Sequence, residues 1–503
     1  MRSVIIDGYV DEPACLGVPP YTSPYPRYIA GAMIDAGAKP RDVHYYTIDQ
    51  LRAEPGIIGI MDRADLIVVV AGLTVPGRYL NAKPITIREV GDFIARYNEK
   101  ILVGGPIRLS HESVLRSEYV AEKDLEARVF DRLTEKSETD RWRRTSEVKR
   151  WSVKGAQIIQ RHPHFPHIMC EIETYRGCPR ERHCSFCTEP LYPHSSREIH
   201  DVVDEVRALY ESGARYFRIG RQPDLFSYKR IETNSGFKPD PTAIEKLYRG
   251  IRRAAPELKV LHMDNLNPAT IIEYPDESRE IAKTIIKYHT PGDVAAMGVE
   301  SSDPRVIREN NLQVYPEDVI KAVELINEVG SIRGENGLPE LLPGINLLYG
   351  LKGESKRTYQ HNLELLQRIH EKGLLLRRIN IRKAMRFKET PLGETKVHIE
   401  KKLFYHHRET IKRRIEVPML KEIAPKGTII KEILTEAHHG RFTLGRQIAS
   451  YPLLIKIEGI LKLGIFVDAA VTGHSHRSLT AIPVGRMRNI EVGSEPTHRL
   501  SGY

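Results

Sequence analysis

Strand-like and helix-like segments alternate between residues 172 and 392, and this alternation limits the possible folds more than any other feature. Repeated βα units predict a parallel, curved sheet that is either open or closed into a barrel. About six units fit between these residues, fewer than a complete barrel needs. We therefore predict a partial (βα)6 barrel over residues 169–395. Its strands after the first are expected at residues 216–219, 260–263, 294–298, 344–349 and 378–381, with helices such as 199–212 and 358–372 between them.

The length and composition of the chain limit its class. At 503 residues it is longer than one hydrophobic core usually supports, so several domains are expected. Its content of 41% hydrophobic and 28% charged residues is typical of a soluble globular protein. No apolar run reaches the length of about 18 residues that a membrane span needs, and Asp7 comes too early for a secretion signal. We expect a cytoplasmic protein without membrane contact.

Residues 1–112 have the pattern of a doubly wound α/β domain of the Rossmann or flavodoxin-like kind. Strands are predicted at residues 4–7, 43–46, 64–70 and 100–103, the third being the continuous apolar run of a buried parallel strand. Ligands of such sheets bind beyond the carboxyl ends of the strands, where turn-forming loops lie at residues 9–13, 72–77 and 104–106. Residues 113–168 are predicted to be a charged helical linker. Its basic residues are interpreted as a solvent-exposed face: Arg141, Arg143, Arg144, Lys149 and Arg150.

Three of the five cysteines form the motif Cys178-x5-Cys184-x2-Cys187. This clustering argues against a disulfide framework and fits a reducing compartment. Three thiolates on a four-iron cluster leave one iron open for a small molecule. The motif follows a predicted strand and a glycine turn, which places the thiolates at the top of the first barrel strand, where active sites gather. The alternative is a zinc site with Cys170 or His183 as the fourth ligand.

The cysteine motif and the barrel pattern together resemble the radical S-adenosylmethionine (SAM) enzymes. Their usual cysteine spacing is three residues and then two, whereas here it is five and then two. The resemblance implies a [4Fe-4S] cluster on Cys178, Cys184 and Cys187, and reductive cleavage of S-adenosylmethionine to a 5′-deoxyadenosyl radical. It also implies an electron donor such as ferredoxin or flavodoxin. The residues that the resemblance assigns to S-adenosylmethionine are Phe186, Gly220, Arg221, Gln222, Glu300, Ser301, Ile345 and Asn380.

The N-terminal region resembles the cobalamin-binding domain that precedes many radical SAM domains. Only Cys15 is available there, which argues against the second cluster of methylthiotransferases. The alternative is a flavodoxin-like unit retained for packing alone. The residues expected at a cobalamin or methylcobalamin site are Tyr9, Pro13, Gly72, Leu73, Thr74, Val75, Pro76, Tyr79, Gly104, Gly105 and Pro106.

Residues 396–503 are predicted to form a helix and a small β-barrel of the OB- or TRAM-like kind. This barrel resembles an RNA-binding module found behind several tRNA-modifying radical SAM enzymes, and Tyr451 and Phe466 would be its stacking surfaces. A module that docks protein or acts as a lid is the alternative. The net charge of +10 fits either a nucleic-acid or acidic partner, or only an arginine-rich surface.

The leading hypothesis is a cobalamin-dependent radical SAM C-methyltransferase of an archaeal group that the whole chain resembles. It would methylate an unactivated carbon of a protein, such as a glutamine or arginine of methyl-coenzyme M reductase. The alternative is a tRNA-modifying radical SAM enzyme that binds RNA through its C-terminal barrel, and a third hypothesis is an iron–sulfur sensor without catalysis. Asp264, Asn265 and Asn267 either face the substrate or form an Asx turn. Tyr175 and Tyr349 are further candidate contacts.

Overall fold

The structure is a computed structural model that describes residues 1–12, 15–16, 20–72, 82–110, 118–134, 140–233, 236–395 and 399–488. In this part of the chain no helix is both long and apolar enough to cross a membrane.

The N-terminal region is built on a four-stranded parallel sheet of order β5-β1-β6-β7. The strand Leu66–Val70 is buried along its whole length, as the continuous apolar run predicts for a parallel strand covered on both faces. The strands are β1 Ser3–Asp7, β2 Asp11–Glu12, β3 Cys15–Leu16, β4 Tyr21–Thr22, β5 Val43–Thr47, β6 Leu66–Val70 and β7 Ile101–Gly104. The helices are α1 Pro24–Asp35, α2 Ile48–Ala53, α3 Gly56–Asp62 and α4 Ile87–Tyr97.

Two more helices, α5 Leu125–Leu133 and α6 Thr145–Lys154, pack on α1. The prediction that the basic run near them forms a solvent-exposed face is wrong for two of its members. Arg141 pairs with Asp131 and Glu147 at 2.7 and 2.8 Å. Arg143 is buried and pairs with acidic residues of both the N-terminal region and the barrel. The basic run therefore joins two parts of the molecule.

The central region contains six parallel strand positions, as the alternation predicts. One half is a sheet of order β14-β11-β8-β4 and the other is a sheet of order β15-β16-β17-β18; β14 and β15 are separated by Asp264 alone. The strands are β8 Met169–Glu173, β9 Tyr175–Arg176, β10 Ser195–Ser196, β11 Tyr216–Gly220, β12 Ile231–Thr233, β13 Gly236–Lys238, β14 Val260–Met263, β15 Asn265–Leu266, β16 Asp293–Glu300, β17 Leu341–Tyr349 and β18 Arg378–Lys383. The helices are α7 Ile199–Glu211, α8 Pro241–Ala254, α9 Pro268–Glu273, α10 Pro275–Tyr288, α11 Pro304–Glu309, α12 Pro316–Gly330 and α13 Lys356–Glu371.

A strand of the N-terminal region extends this partial barrel at one edge. The short strand β4 pairs in parallel with β8, so Tyr21 lies beside Met169. The hydroxyl of Tyr21 donates to the carbonyls of Ala449 and Ser450 in the C-terminal region. At the other edge Arg377, just before β18, donates to the carbonyl of Tyr451. Residues 449–451 therefore contact both edges of the incomplete barrel.

The C-terminal region begins with α14 Lys401–Ile411, a π-helical turn Lys412–Glu416 and α15 Val417–Ile423. A closed barrel of order β19-β20-β21-β23-β22 follows, with β21 and β23 parallel. This agrees with the small barrel that the sequence predicts. Its strands are β19 Ile429–His439, β20 Phe442–Gln447, β21 Leu454–Glu458, β22 Phe466–His474 and β23 Ser478–Arg488.

Candidate active site

The three clustered cysteines lie in one loop at the carboxyl end of β8. The loop opens at Gly177, whose φ of +79° favours glycine. A Cβ atom at this position would lie 2.8 Å from backbone atoms of His194 and Tyr192, so a larger residue does not fit. The thiols of Cys178, Cys184 and Cys187 are free and half-buried. The sequence prediction placed them at this end of the first barrel strand.

The thiols of this loop lie close enough to influence one another. Burial raises the pKa of all three, and the charge of Cys184 adds to this effect at both Cys178 and Cys187. Arg180 acts in the opposite direction, since its Nη1 donates to Cys184 Sγ at 3.5 Å. A cationic iron centre would favour the thiolates that burial disfavours. The donor set therefore fits an iron–sulfur cluster.

The zinc alternative gains no support. Among the described residues, no three or more His, Cys, Asp or Glu side chains converge on a position for a single metal ion. Cys170 is fully buried in β8, and its electrostatic neighbours are Arg27 and Glu205 rather than the cysteine loop. A cluster of several irons does not require its thiolates to meet at one atom, so the same observation leaves the iron–sulfur interpretation intact.

The cysteine loop is tied to the far side of the barrel. Ser185 donates from its backbone N–H and its hydroxyl to Asn310, at 3.1 and 2.7 Å, and its carbonyl accepts from Leu392 at 2.8 Å. Phe186 packs in a small apolar cluster with Val306 and Leu392. These contacts cover the loop from the side of α11.

Glu300 ends β16 beside the cysteine loop, and its charge raises the pKa of Cys184. Its φ is +65°, an uncommon value for a residue with a side chain and one that often marks functional sites. Burial raises the pKa of the Glu300 carboxyl to about 8, against the opposing charge of Arg382. The next residue, Ser301, is fully buried, and its hydroxyl accepts from the Asp303 N–H at 3.2 Å.

The segment Gly220-Arg221-Gln222 supports the cysteine loop. A Cβ atom on Gly220 would lie 2.0 Å from Glu171 Oε1, so a larger residue there would have to displace the buried Glu171 side chain. Arg221 has a φ of +67° and pairs with Glu189 at 2.7 Å, and Glu189 accepts from the Gly177 N–H at 3.2 Å. The amide of Gln222 accepts from Thr174 Oγ1 at 3.1 Å and donates to the Ile219 carbonyl at 3.1 Å.

Two other residues predicted to contact S-adenosylmethionine lie on opposite faces of their strands. Ile345 is fully buried in the core between the strands and the helices. Asn380 is half-buried, and its Nδ2 donates to Asn346 Oδ1 at 3.2 Å. Asn380 thus lies on the face of β18 that lines the barrel interior.

The structure does not bring all the candidate substrate residues to the open end of the barrel. Asp264 is fully buried, pairs with Arg218 and accepts from the Tyr451 hydroxyl at 2.5 Å. Asn267 caps α9 through the Ala269 N–H at 3.1 Å, so the Asx interpretation describes this residue. The Nδ2 of half-buried Asn265 donates to the Gln222 carbonyl at 3.1 Å.

The two candidate tyrosines are engaged in the core. The Tyr175 hydroxyl donates to the Asp224 carbonyl at 2.5 Å. The Tyr349 hydroxyl bonds His407 Nε2 at 2.6 Å and accepts from Asn362 Nδ2 at 3.0 Å. Both side chains are almost fully buried, so neither faces an open site.

The candidate cobalamin loops meet at the carboxyl edge of the N-terminal sheet. Gly72 donates its N–H to the carbonyl of Tyr9 at 3.0 Å, while the Tyr9 side chain is buried and donates to Asp49 at 3.1 Å. Gly105 has a φ of +99°, whereas Gly104 is needed because a Cβ would lie 2.8 Å from Leu125. Pro106 is buried at the same edge. The other candidates lie outside the described residues: Pro13, Leu73, Thr74, Val75, Pro76 and Tyr79.

Sequence reasoning missed a buried network of charges behind the cysteine loop. Arg176, two residues before Cys178, forms two hydrogen bonds of 2.6 Å with Asp124. Arg143 pairs with Glu173 at 2.5 Å, and both are almost fully buried. No spacing in the sequence links these partners. The nearness of Glu173 and Arg176 to the cysteine motif is a sequence signal that could have pointed to them.

Both stacking residues predicted for the C-terminal barrel, and two of its arginines, are engaged in internal contacts. The Tyr451 hydroxyl donates to Asp264 of the partial barrel, and Phe466 packs edge-on against His167 at 5.2 Å. Arg446 pairs with Glu436, and Arg477 pairs with Glu416. His438, His439 and Arg441 are exposed on the barrel, so RNA binding by this surface stays a prediction.

Comparison with known proteins assigns the chain to a family. Residues 172–366 match the family described as the Radical SAM superfamily. Over 98% of this chain and 95% of the other, it is 45% identical to an uncharacterized protein of Methanocaldococcus jannaschii. This chain belongs to the same family as that protein and carries a radical SAM domain.

Two solved structures share the fold of this chain at low sequence identity. The radical S-adenosylmethionine methyltransferase TsrM of Kitasatospora setae is 15% identical, with a TM-score of 0.53 over 78% of this chain and 75% of that chain. The apo form of OxsB, described as a cobalamin-dependent S-adenosylmethionine radical enzyme, is 14% identical, with a TM-score of 0.51 over 81% and 56% of the two chains. At these identities the likeness concerns the fold alone.

Proposed function

We propose that this protein is a cobalamin-dependent C-methyltransferase. The observation that carries the proposal is the placement of three free thiols in one loop at the carboxyl end of the first barrel strand, beside Glu300. The preceding doubly wound unit supports it, because such sheets bind ligands at the carboxyl edge where Gly72 and Gly105 lie. We expect the methyl acceptor to be a protein side chain or an RNA base.

Each part of the site has a distinct role in this proposal. Cys178, Cys184 and Cys187 would hold a [4Fe-4S] cluster, and the loops after β1, β6 and β7 would hold cobalamin. When bound, these groups supply an electron to S-adenosylmethionine and a methyl group to the acceptor carbon. Glu300 offers a hydrogen-bonding carboxyl whose pKa is raised by burial to about 8. Phe186 and its apolar neighbours keep water away from the loop.

Anaerobic reconstitution tests the proposal. The protein is loaded with iron and sulfide, incubated with S-adenosylmethionine and dithionite, and assayed for 5′-deoxyadenosine. We expect this product from the wild-type protein, and loss of iron and product in Cys178→Ala, Cys184→Ala and Cys187→Ala. Cys170→Ala is the matched control and should keep its iron, since Cys170 lies away from the loop.

A second measurement addresses cobalamin. After incubation with hydroxocobalamin and gel filtration, the absorbance spectrum should show an equimolar corrinoid. Iron-loaded protein that forms no 5′-deoxyadenosine would contradict the radical SAM assignment. Formation of 5′-deoxyadenosine without corrinoid binding would contradict only the cobalamin part.

A further inference from the structure

The positive charge of the chain is concentrated in one segment. Residues 382–414 contain eleven lysines and arginines and four glutamates, which accounts for seven of the ten net positive charges. The segment runs from the end of β18 through α14 into the π-helical turn. A basic run is often no more than a solvated helix face, so its geometry decides the interpretation.

The helix α14 has one face in the core and one in solvent. Phe404, His407 and Ile411 are buried, and His407 is hydrogen-bonded to the Tyr349 hydroxyl at 2.6 Å. The opposite side exposes Lys401 and Lys402 at the start of the helix. Arg413 and Arg414 are exposed in the turn that follows.

These four cations lack acidic partners. Within the described residues, none of Lys401, Lys402, Arg413 and Arg414 has a carboxylate within ion-pair distance. The acidic residue of α14, Glu409, is paired with Lys412 at 3.0 Å. Desolvation does not oppose binding at such exposed groups, so their charge is available to a polyanion.

An exposed aromatic ring lies among the cations. Tyr405 is 50% exposed, although large apolar side chains are usually covered. The Lys383 ammonium lies 4.8 Å and the Arg408 guanidinium 5.1 Å from the centre of its ring. An accessible ring surrounded by cations is the arrangement on which single-stranded nucleic acids stack a base and place the adjoining phosphates.

The patch adjoins the candidate active site. Lys383 ends β18, and the residue before it, Arg382, is close enough to Glu300 to affect the pKa of that carboxyl. The loop between β18 and α14 contacts the cysteine loop through the Leu392 N–H and the Ser185 carbonyl. A single-stranded nucleic acid bound along α14 would therefore lie next to the open end of the barrel.

We propose that α14 and the end of β18 form an RNA-binding surface that presents a single-stranded segment to the active site. The surface consists of Lys383, Lys401, Lys402, Tyr405, Arg413 and Arg414. This inference rests on the proposed function and deepens it by naming RNA as the class of substrate. It places the RNA on α14, because the two stacking residues of the C-terminal barrel, Tyr451 and Phe466, are engaged in internal contacts.

Fluorescence anisotropy on the reconstituted full-length protein tests the surface with a labelled oligouridine RNA of about twelve nucleotides. We expect the affinity of the wild-type protein to fall steeply between about 50 and 200 mM salt. Lys401→Glu with Lys402→Glu should weaken binding at least tenfold and reduce the salt slope by about 1.4, because each lost phosphate contact removes about 0.7. Tyr405→Ala should weaken binding about tenfold and leave the salt slope unchanged.

The matched control reverses two other exposed cations, Lys246→Glu with Arg249→Glu on α8, and should leave RNA affinity unchanged. The proposal is overturned if the α14 and α8 variants bind RNA equally well, or if no RNA binds at low salt. It is also overturned if polyglutamate competes as well as RNA and Tyr405→Ala has no effect, since an acidic protein would then be the partner. The 5′-deoxyadenosine assay without RNA reports on the proposed function separately.

Discussion

The pair formed by Asp124 and Arg176 offers a quantitative test of what holds the cysteine loop. Both side chains are only 3% exposed, and Arg176 lies two residues before Cys178. Burial alone would raise the pKa of Asp124, but the charges of Arg176 and Arg143 outweigh it and lower the pKa. Asp124→Asn keeps the shape of the side chain while leaving the Arg176 guanidinium buried without its counter-charge. Breaking a buried pair in this way costs about 3–5 kcal/mol.

This cost should appear as local opening of the loop. It corresponds to a rise of about two to four powers of ten in the opening equilibrium. Hydrogen exchange followed by mass spectrometry measures it on peptides covering residues 174–190, where the Gly177 amide is bonded to Glu189. Asp204→Asn is the matched control. It removes a pair whose side chains are 40–48% exposed and whose loss costs at most about 1 kcal/mol.

A double variant separates charge from packing. In Asp124→Leu with Arg176→Met the pair is replaced by apolar side chains, which is often nearly neutral, so most of the protection from exchange should return. Unchanged exchange in Asp124→Asn would refute the reasoning. So would a double variant that exchanges as fast as the single one, because the loss would then come from shape and not from unpaired charge.

Two further predictions concern buried groups elsewhere. Gly220→Ala should lower the thermal midpoint, because its Cβ would lie 2.0 Å from Glu171 Oε1 and would displace that buried side chain. Gly59→Ala, with its nearest atom at 3.7 Å, should be neutral or slightly stabilising. Burial raises the pKa of Asp7 in the folded protein to about 6, so ionisation of this carboxyl opposes folding. The free energy of unfolding should therefore fall as pH rises from about 4 to about 6. Denaturant titrations should show that the free energy of unfolding of Asp7→Asn rises relative to that of the wild type across that range, by at most about 3 kcal/mol. A difference between the two proteins that does not change with pH would disprove this.

The backbone architecture was predictable because it depends on local patterns. The apolar run of β6 and the alternation of strands and helices in the barrel are visible in short windows, and the structure has both. The position of the cysteine loop followed from the glycine turn after β8. The same period-two argument could have corrected one candidate: Tyr349 shares a strand face with Ile345 and Leu347, both buried against the helices.

Pairings between distant side chains were not predictable. Asp124 and Arg176 are 52 residues apart, and neither position looks different from other charged residues in the sequence. The direction of Asp264 depends on Tyr451, which arrives from the C-terminal region 187 residues later. From the sequence, the polar residues that follow β14 could equally well contact a substrate or form an Asx turn. Only tertiary contacts distinguish these two interpretations.

The pairing of β4 with β8 limits how this protein can be dissected. The two residues Tyr21 and Thr22 cover the hydrogen-bonding edge of the first barrel strand. Excision of the N-terminal region would leave the backbone groups of a buried, apolar strand open to any other chain. A recombinant fragment starting near residue 150 should aggregate. Co-expression with residues 1–149 should rescue it, because β4 would then pair with β8 again.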